Sequence, residues 1–374
     1  MFLRPRSFRL RLFICVKLLV FILFFHVLEL IVFTRFHFDT ILDPILELHQ
    51  CYMDELPGII SEKWTSNKFI ILEDVLLSDI KPTPGRTIFF LETKCQSPDS
   101  DLKYIMTLTA RQACSIESAA LNNPNFQVFV IFANPKVIDK KNRFINVIQS
   151  YKNVHLRQLN IWRYAKNTPV EDWVLTDNMF LSSYPTEHSS DLLRLLTLYR
   201  FGGIYMDLDV VVLRSLENVP LNYVGTEFYG LLSNAVISLE PTGIGHEVAE
   251  LFLREFQQNF NGTSYIFNGP MLIKRVLATI CGTKSVKEMT NNPRLCHGVR
   301  VFDPSAFFVL QKLFYLFDPK FLEIAMEKTK NSYLIHLWNK YSKKCLLKAD
   351  SNTAYGKYAE QHCPKTYEAA GEFL

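Results

Sequence analysis

The 374-residue chain is 48% hydrophobic and 21% charged, enough apolar material for one large or two ordinary cores, which excludes a disordered polypeptide. Its net charge of +4 is an N-terminal property: Arg4, Arg6, Arg9, Arg11 and Lys17 precede the first acid, Glu29, and without these five the remainder stands at −1. A near-neutral body lacks the massed lysine and arginine of a nucleic-acid footprint, so no nucleic-acid partner is expected.

In chain order, residues 1–11 read as a cytosolic tail and 12–33, "LFICVKLLVFILFFHVLELIVF", as a signal-anchor transmembrane helix, which needs roughly 20 apolar residues. Lys17 can snorkel to the headgroups, whereas His26 and Glu29, at i and i+3 on one helical face, suggest a shallow span or a helix contact. No small-x-small cleavage site follows, which argues for retention over a cleaved signal peptide. Basic residues before the span and Asp39, Asp43 and Glu47 after it place the N-terminus in the cytosol and the bulk of the chain across the membrane. Residues 34–86 have weak periodicity, end in the breaker "KPTPGR", and read as a stem.

From residue 87 to 374 strand-like and helix-like runs alternate, the pattern of an α/β layer fold. "TIFFLET", "FQVFVIFAN" and "IYMDLDVVVL" read as strands; "RQACSIESAALNN", "RFINVIQSY", "HSSDLLRLLTLYRF", "GHEVAELFLREFQQNF" and "GPMLIKRVLATICG" read as helices. "NSYLIHLWNK" reads as a strand or ordered loop. The helix from His188 to Phe201 is apolar almost all round, so it is expected to be buried. Its exceptions are Asp191 and Arg194, three apart and on one face. The plainer reading has Ser189 or Ser190 as the N-cap and Asp191 in the first turn. Gly202 suits a left-handed position past the helix end, and Gly203 a close approach to a ligand or strand.

Asp207 and Asp209 follow, pointing the same way if the strand stays regular. Sheltered carboxylates side by side need a cation, and the hard ions Mg²⁺ and Mn²⁺ bind through one or two carboxylates plus substrate phosphates. The plainer alternative is a strand end with solvated acids. Cysteines fit an oxidising compartment: pairing by proximity joins Cys95 with Cys114, Cys281 with Cys296 and Cys345 with Cys363, leaving Cys51 free or intermolecular. Some of them can equally be buried thiols. Absence of C-x-x-C argues against structural zinc, and Asn261-Gly262-Thr263 is a glycosylation acceptor.

The run "SDLLRLLTLYRFGGIYMDLDVVVLRSL" resembles the sugar-binding D-x-D region of type II Golgi glycosyltransferases, most closely the α1,4-glycosyltransferase family. "FFLET", "CSIESAA", "FNGP" and "YLIHLWNK" resemble further segments of that family in the same order. The resemblance implies a GT-A nucleotide-diphospho-sugar transferase sandwich in a single-pass type II Golgi membrane protein. It implies a UDP-galactose or UDP-N-acetylgalactosamine donor, Mn²⁺ or Mg²⁺, and α1,4 transfer with retention to a glycosphingolipid or other galactose-ended glycan. By the same resemblance Asp207 and Asp209 hold the metal and the diphosphate. Asp191 and Arg194 hold the donor sugar and steady the diphosphate, His336 is a third metal ligand, and Gly203, Tyr205, Asn268 and Gly269 bind the donor. Pro270 joins the substrate loop, Trp338 stacks on a sugar or fills the core, and Asn234 and Glu227 are further candidates. A homodimer or an accessory membrane partner is left open. No acid declares itself a nucleophile, so same-face transfer with the leaving phosphate as base is expected.

Two competing readings remain. A haloacid-dehalogenase-like phosphohydrolase shares D-x-D-x-[TV], but needs downstream acids where this chain has only the scattered Asp303, Asp318 and Asp350. A catalytically silent glycan-binding subunit would keep the fold without the chemistry.

Overall fold

The computed structural model describes Phe21, residues 23–29, Tyr52, and residues 69–94, 105–133, 137–139, 141–176, 178–228, 230–348 and 350–372. The chain divides into two units, Met1–Gln50 and Cys51–Leu374. In the first, Phe21 and residues 23–29 are helical, and His26 Nδ1 lies 3.4 Å from Glu29 Oε2 on the same helical face. No helix among the described residues is long and apolar enough to cross a membrane, and most of the 12–33 span lies outside them.

The second unit is an α/β sandwich on a seven-stranded mixed sheet, order β11-β9-β10-β7-β2-β4-β6. These strands are β2 Thr87–Glu92, β4 Gln127–Phe132, β6 Val154–Gln158, β7 Gly203–Met206, β9 Tyr223–Phe228, β10 Leu231–Leu239 and β11 Arg300–Phe302. Two small sheets complete it: β1 Phe69–Ile71, β5 Val137–Asp139 and β3 Ile105–Met106, and the pair β8 Val210–Val212 with β12 Leu334–His336. Strands β7, β2, β4 and β6 run parallel, and β2 is buried along its whole length. That burial on both faces explains why "TIFFLE" is a continuous apolar run rather than an alternating one.

Helices cover the sheet: α1 Ala110–Asn122, α2 Arg143–Gln149, α3 Pro185–Phe201, α4 Gly243–Gln258, α5 Pro270–Ile280, α6 Ala354–His362 and α7 Pro364–Ala370. Thr109 and Gln112 form a capping box at the start of α1. The chain builds β2, β4 and β6 outward in one direction and then returns to place β7 on the other side of β2. Such a reversal leaves a crevice at the carboxyl ends of the two strands flanking it, here Glu92 and Met206.

Several expectations change. Residues 69–86 fall in the span read as stem, yet β1 pairs with β5, Val75 is fully buried, and Val75 N–H donates to Gln158 O at 2.8 Å. Tyr52, also from that span, is buried and donates to Thr93 O at 2.8 Å. Helix α3 begins at Pro185 rather than at a serine cap, because proline's fixed φ suits the first helical turn. Asp191 is therefore two turns into the helix and is no first-turn acid. The "IYMDLDVVVL" run is two strands: β7 ends at Met206, the chain turns through Asp207–Asp209, and β8 leaves for a different sheet.

Disulfides join Cys114 to Cys363 and Cys281 to Cys296. The second is as expected. The first replaces the expected partners of both residues, because α1 and α7 pack side by side although 249 positions separate the two cysteines. Cys345 is free and exposed, and Cys51 and Cys95 lie outside the described residues.

Candidate active site

The crevice at the ends of β2 and β7 is a cleft of about 270 Å³. One wall comes from α3 and β7. Gly202 and Gly203 set their junction: both have positive φ, and a Cβ on Gly203 would stand 2.4 Å from Thr87 O. Gly203 thus serves the strand contact with β2 rather than a ligand, and it does not line the cleft. Tyr205, expected beside the donor, does line it.

Arg194 organises this wall. Its Nη1 donates to Asp207 Oδ1 at 2.7 Å and to Asn234 O at 2.8 Å, its Nη2 to Ser190 Oγ at 2.8 Å, and its Nε to Ser190 O at 3.1 Å. Asp191 Oδ1 is 3.4 Å away, and the guanidinium lies over the Tyr205 ring, 4.5 Å from its centroid. With its donors so engaged, Arg194 fixes two acids instead of offering a free fork to a diphosphate. The nearer acid benefits most. Burial would raise Asp207, but Arg194, His336 and the Tyr205 hydroxyl, 2.6 Å from Oδ1, hold it well below the usual carboxylate range. For Asp191 burial prevails over Arg194, Asp207 adds repulsion, and its carboxyl is pushed up to about 7.

Asn234 Nδ2 donates to Asp191 Oδ1 at 2.7 Å, so this weak sequence candidate lines the cleft and orients Asp191. Gly269 closes behind them: a Cβ there would meet Asn234 Nδ2 at 2.4 Å and Asp191 Oδ1 at 2.8 Å. Pro270 lines the cleft at the start of α5. Asn268 is buried and turned away, its amide bridging the main chain of Asn261 at 2.9 and 2.8 Å. Asn261 itself accepts from Thr263 N and Oγ1 in a local turn.

The other wall is supplied by the C-terminal region. Strand β12 pairs with β8 so that His336 stands opposite Val210, next to Asp209. His336 Nε2 is 3.1 Å from Asp209 Oδ1 and 4.0 Å from Asp207 Oδ2. The remaining oxygens are occupied, Asp207 Oδ1 by Arg194 and Tyr205, and Asp209 Oδ2 by the Asn339 N–H at 2.8 Å. One oxygen of each acid and one ring nitrogen therefore converge, with ligating atoms all within 4.8 Å. Burial works against a charged His336, but Asp209 and Asp207 outweigh it and draw its pKa up to about 10. The Trp338 N–H, 3.1 Å from Nδ1, needs that nitrogen unprotonated and so works against the doubly protonated ring, leaving the proton on Nε2, between the acids, as the one the carboxylates hold. That proton occupies the place a divalent cation would take, and two carboxylate oxygens with one imidazole nitrogen can ligate one. The residues fit such an ion.

Trp338 packs on His336 with ring centroids 4.4 Å apart and donates from Nε1 to Leu310 O, away from the cleft lining. Glu227 is half-buried, raised by burial against the pull of His336, and also outside the lining. Asp303 and Asp318 cap short helical segments, so neither joins Asp207 and Asp209. Lining residues not singled out in the sequence include Glu92, Lys94, Gln112, Tyr265 and Asn339. Glu92 is buried and bound by Gln112 Nε2 and by the Lys94 N–H. Its signal was positional: "ET" sits at the carboxyl end of β2.

Residues 109–226 match the family described as "glycosyltransferase sugar-binding region containing DXD motif", and 241–370 match "alpha 1,4-glycosyltransferase conserved region". Asp207 and Asp209 fall in the first match and His336 in the second. Human lactosylceramide 4-alpha-galactosyltransferase is 30% identical over 303 residues, covering 78% of this chain and 79% of that one. Human alpha-1,4-N-acetylglucosaminyltransferase is 25% identical over 264 residues, 68% and 74% of the two chains. Among solved structures, the PaToxG glycosyltransferase covers 78% of this chain and 90% of its own at 14% identity and a TM-score of 0.37, too slight a likeness to carry an argument.

Proposed function

Since the chain belongs to the α1,4-glycosyltransferase family, we propose that it is a metal-dependent, retaining UDP-sugar glycosyltransferase with a GT-A fold. It transfers galactose or N-acetylgalactosamine in α1,4 linkage to a glycosphingolipid or other galactose-ended glycan. Its place is the Golgi membrane, as a single-pass type II protein.

The carrying observation is the convergence of Asp207 Oδ2, Asp209 Oδ1 and His336 Nε2 beside the cleft, which the two aspartates line. These three side chains would hold the cation. When bound, it would supply positive charge for the diphosphate that departs as the sugar–phosphate bond breaks. Arg194 and Tyr205 keep Asp207 ionised and aimed, and the Asn339 N–H does the same for Asp209. Asp191, oriented by Asn234, presents its remaining carboxyl oxygen to the cleft, where it can take hydroxyls of the donor sugar.

Among the described residues the cleft acids outside this cluster are Glu92, whose two oxygens are engaged by Gln112 and Lys94, Asp191, held by Asn234 and Arg194, and the exposed Glu187. That engagement disfavours a covalent carboxylate route and supports same-face transfer with the departing phosphate as base. The relatives differ in the sugar their names carry, so the donor is settled by assay. The test is a screen of labelled UDP-galactose, UDP-N-acetylgalactosamine and UDP-N-acetylglucosamine with Mn²⁺ and a lactosyl acceptor. Transfer from one donor, lost by at least about 10²-fold in Asp209→Ala, is expected. Full activity in that variant would sink the metal role, and glycan binding without any transfer would favour the silent subunit.

A further inference from the structure

Arg111, on the first turn of α1, is 7% exposed and does not line the cleft, although its neighbour Gln112 does. Among the described residues no carboxylate stands within ion-pair distance of it, an unusual state for a buried guanidinium. Its partners are main-chain and neutral. Nη1 donates to Ser342 O at 2.9 Å, to Ser342 Oγ at 3.0 Å and to Asn339 Oδ1 at 3.3 Å, and Nη2 to Cys345 O. The Phe317 and Tyr355 rings flank the group at 5.0 and 5.6 Å.

What Arg111 grips is the segment that completes the metal cluster. Ser342 Oγ passes the contact on, donating to Leu337 O at 2.6 Å. Leu337 N–H donates to Asp209 O at 2.8 Å and Asn339 N–H to Asp209 Oδ2 at 2.8 Å. Between them Trp338 holds φ +55°, ψ +49°, a left-handed conformation costly for so large a side chain. That turn aims its N–H at His336 Nδ1 and the next N–H at Asp209. A costly conformation persists only where surroundings over-determine it. Two fixings are visible: Trp338 Nε1 on Leu310 O, and the Arg111 grip on the following turn.

We propose that Arg111 is a positioning residue for the metal centre, clamping residues 339–345 so that the backbone around Trp338 orients His336 and Asp209. The inference rests on the metal reading of Asp207, Asp209 and His336. Outer contacts that orient metal ligands typically matter by 10–100-fold in metal affinity. A lysine at 111 keeps the charge yet cannot reach three separated acceptors with a planar fork, so it does not substitute.

The test is Mn²⁺ binding by electron paramagnetic resonance on the full-length chain, with amide hydrogen exchange over residues 334–348. In Arg111→Lys and Arg111→Met, Mn²⁺ affinity is expected to fall at least about tenfold, and exchange to quicken in 338–345 but not in α3. The activity that remains should need more Mn²⁺, with kcat recovering at saturating metal. Ser342→Ala removes one acceptor and the relay to Leu337, and a loss of about 2–5-fold is expected from it, a readout that stands if the Arg111 variants fail to fold. Wild-type affinity in Ser342→Ala together with wild-type affinity in a folded Arg111 variant overturns the proposal. Wild-type protein that binds no Mn²⁺ overturns the metal reading first, while Mn²⁺ binding without sugar transfer overturns the proposed reaction and leaves the Arg111 role intact.

Discussion

The two walls of the cleft are built on opposite principles. The α3–β7 wall spans residues 191–207 and is held by charge, Arg194 standing between Asp191 and Asp207. The wall from His336 to Cys345 is held mainly by main-chain hydrogen bonds, with His336 its one group paired to the acids it faces and a buried arginine reaching over from α1. A charge-held wall concentrates its stability in one group. A backbone-held wall spreads it over a turn whose geometry, rather than whose side chains, does the orienting. The contrast predicts that loss of Arg194 on the first wall damages the fold most, and that loss of His336 or of the turn after it damages metal binding most.

The sharpest break is Arg194→Met. It leaves Asp207 and Asp191 sheltered without their cation, and destabilisation of about 3–5 kcal/mol is expected, read as a large fall in Tm. A Tm near wild type would show that the wall is not charge-held.

Next is Asp191→Asn, which isolates the titration of the second acid. The folded pKa is raised from 3.8 to about 7 chiefly by burial, so the native state binds a proton that the unfolded chain has already released. Asp191 therefore favours folding most at low pH, and its contribution declines as pH rises from about 4 to about 7. Measured without metal, the stability of wild type relative to Asp191→Asn should fall across that window by no more than about 4 kcal/mol. A flat difference would mean that Arg194 keeps Asp191 ionised throughout.

On the second wall, His336→Ala should lower the Tm of the metal-free protein, since Asp209 and Asp207 then lose the cation they draw up. It should also weaken Mn²⁺ by more than the roughly 10–100-fold an outer contact is worth, because the ring is itself a ligand. Binding should weaken in wild type as pH falls, since His336, drawn up to about 10, exchanges the cation for a proton. Loss of fold with metal binding retained would reverse the roles assigned to the walls.

The two walls also differ in how well the sequence announced them. Asp191, Arg194, Asp207 and Asp209 stand within 19 residues, and their types and spacing carried the chemistry directly. Even there the local geometry was misjudged. Period-two reasoning gave one strand through both aspartates, whereas the chain turns at Leu208 and the acids converge because β8 leaves β7 for a different partner. The proline that starts α3 outweighed the serines that offered a cap.

The second wall was legible only as a lone histidine in an apolar run. Its role depends on β12 pairing with β8, a contact across more than 120 residues that no local pattern encodes. The same holds for Cys114 with Cys363 and for Arg111 with Ser342, where proximity in sequence misleads because α1 is packed against the C-terminal region. Strand and helix types from residue 87 onward were recoverable because buried parallel strands and all-round apolar helices have distinct patterns.

The mildest change tests where the walls meet the substrate loop. Gly269 has no left-handed backbone, so alanine is not barred by φ; only space forbids it. The new methyl would press on Asn234 Nδ2 and both carboxyl oxygens of Asp191, which lie 2.4, 2.8 and 2.9 Å from the ideal Cβ. The Asn234 tip would have to move by about 1 Å to reach ordinary contact, so the cost should fall in the overpacking range of about 1–3 kcal/mol. The functional effect should exceed the structural one. Displacing Asn234 removes the bond that orients Asp191, so donor KM should rise several-fold in Gly269→Ala while Mn²⁺ affinity stays put. If Mn²⁺ affinity fell instead, strain from the substrate loop would be reaching the metal through Arg194, and the charge-held wall would be one unit with the cation it faces.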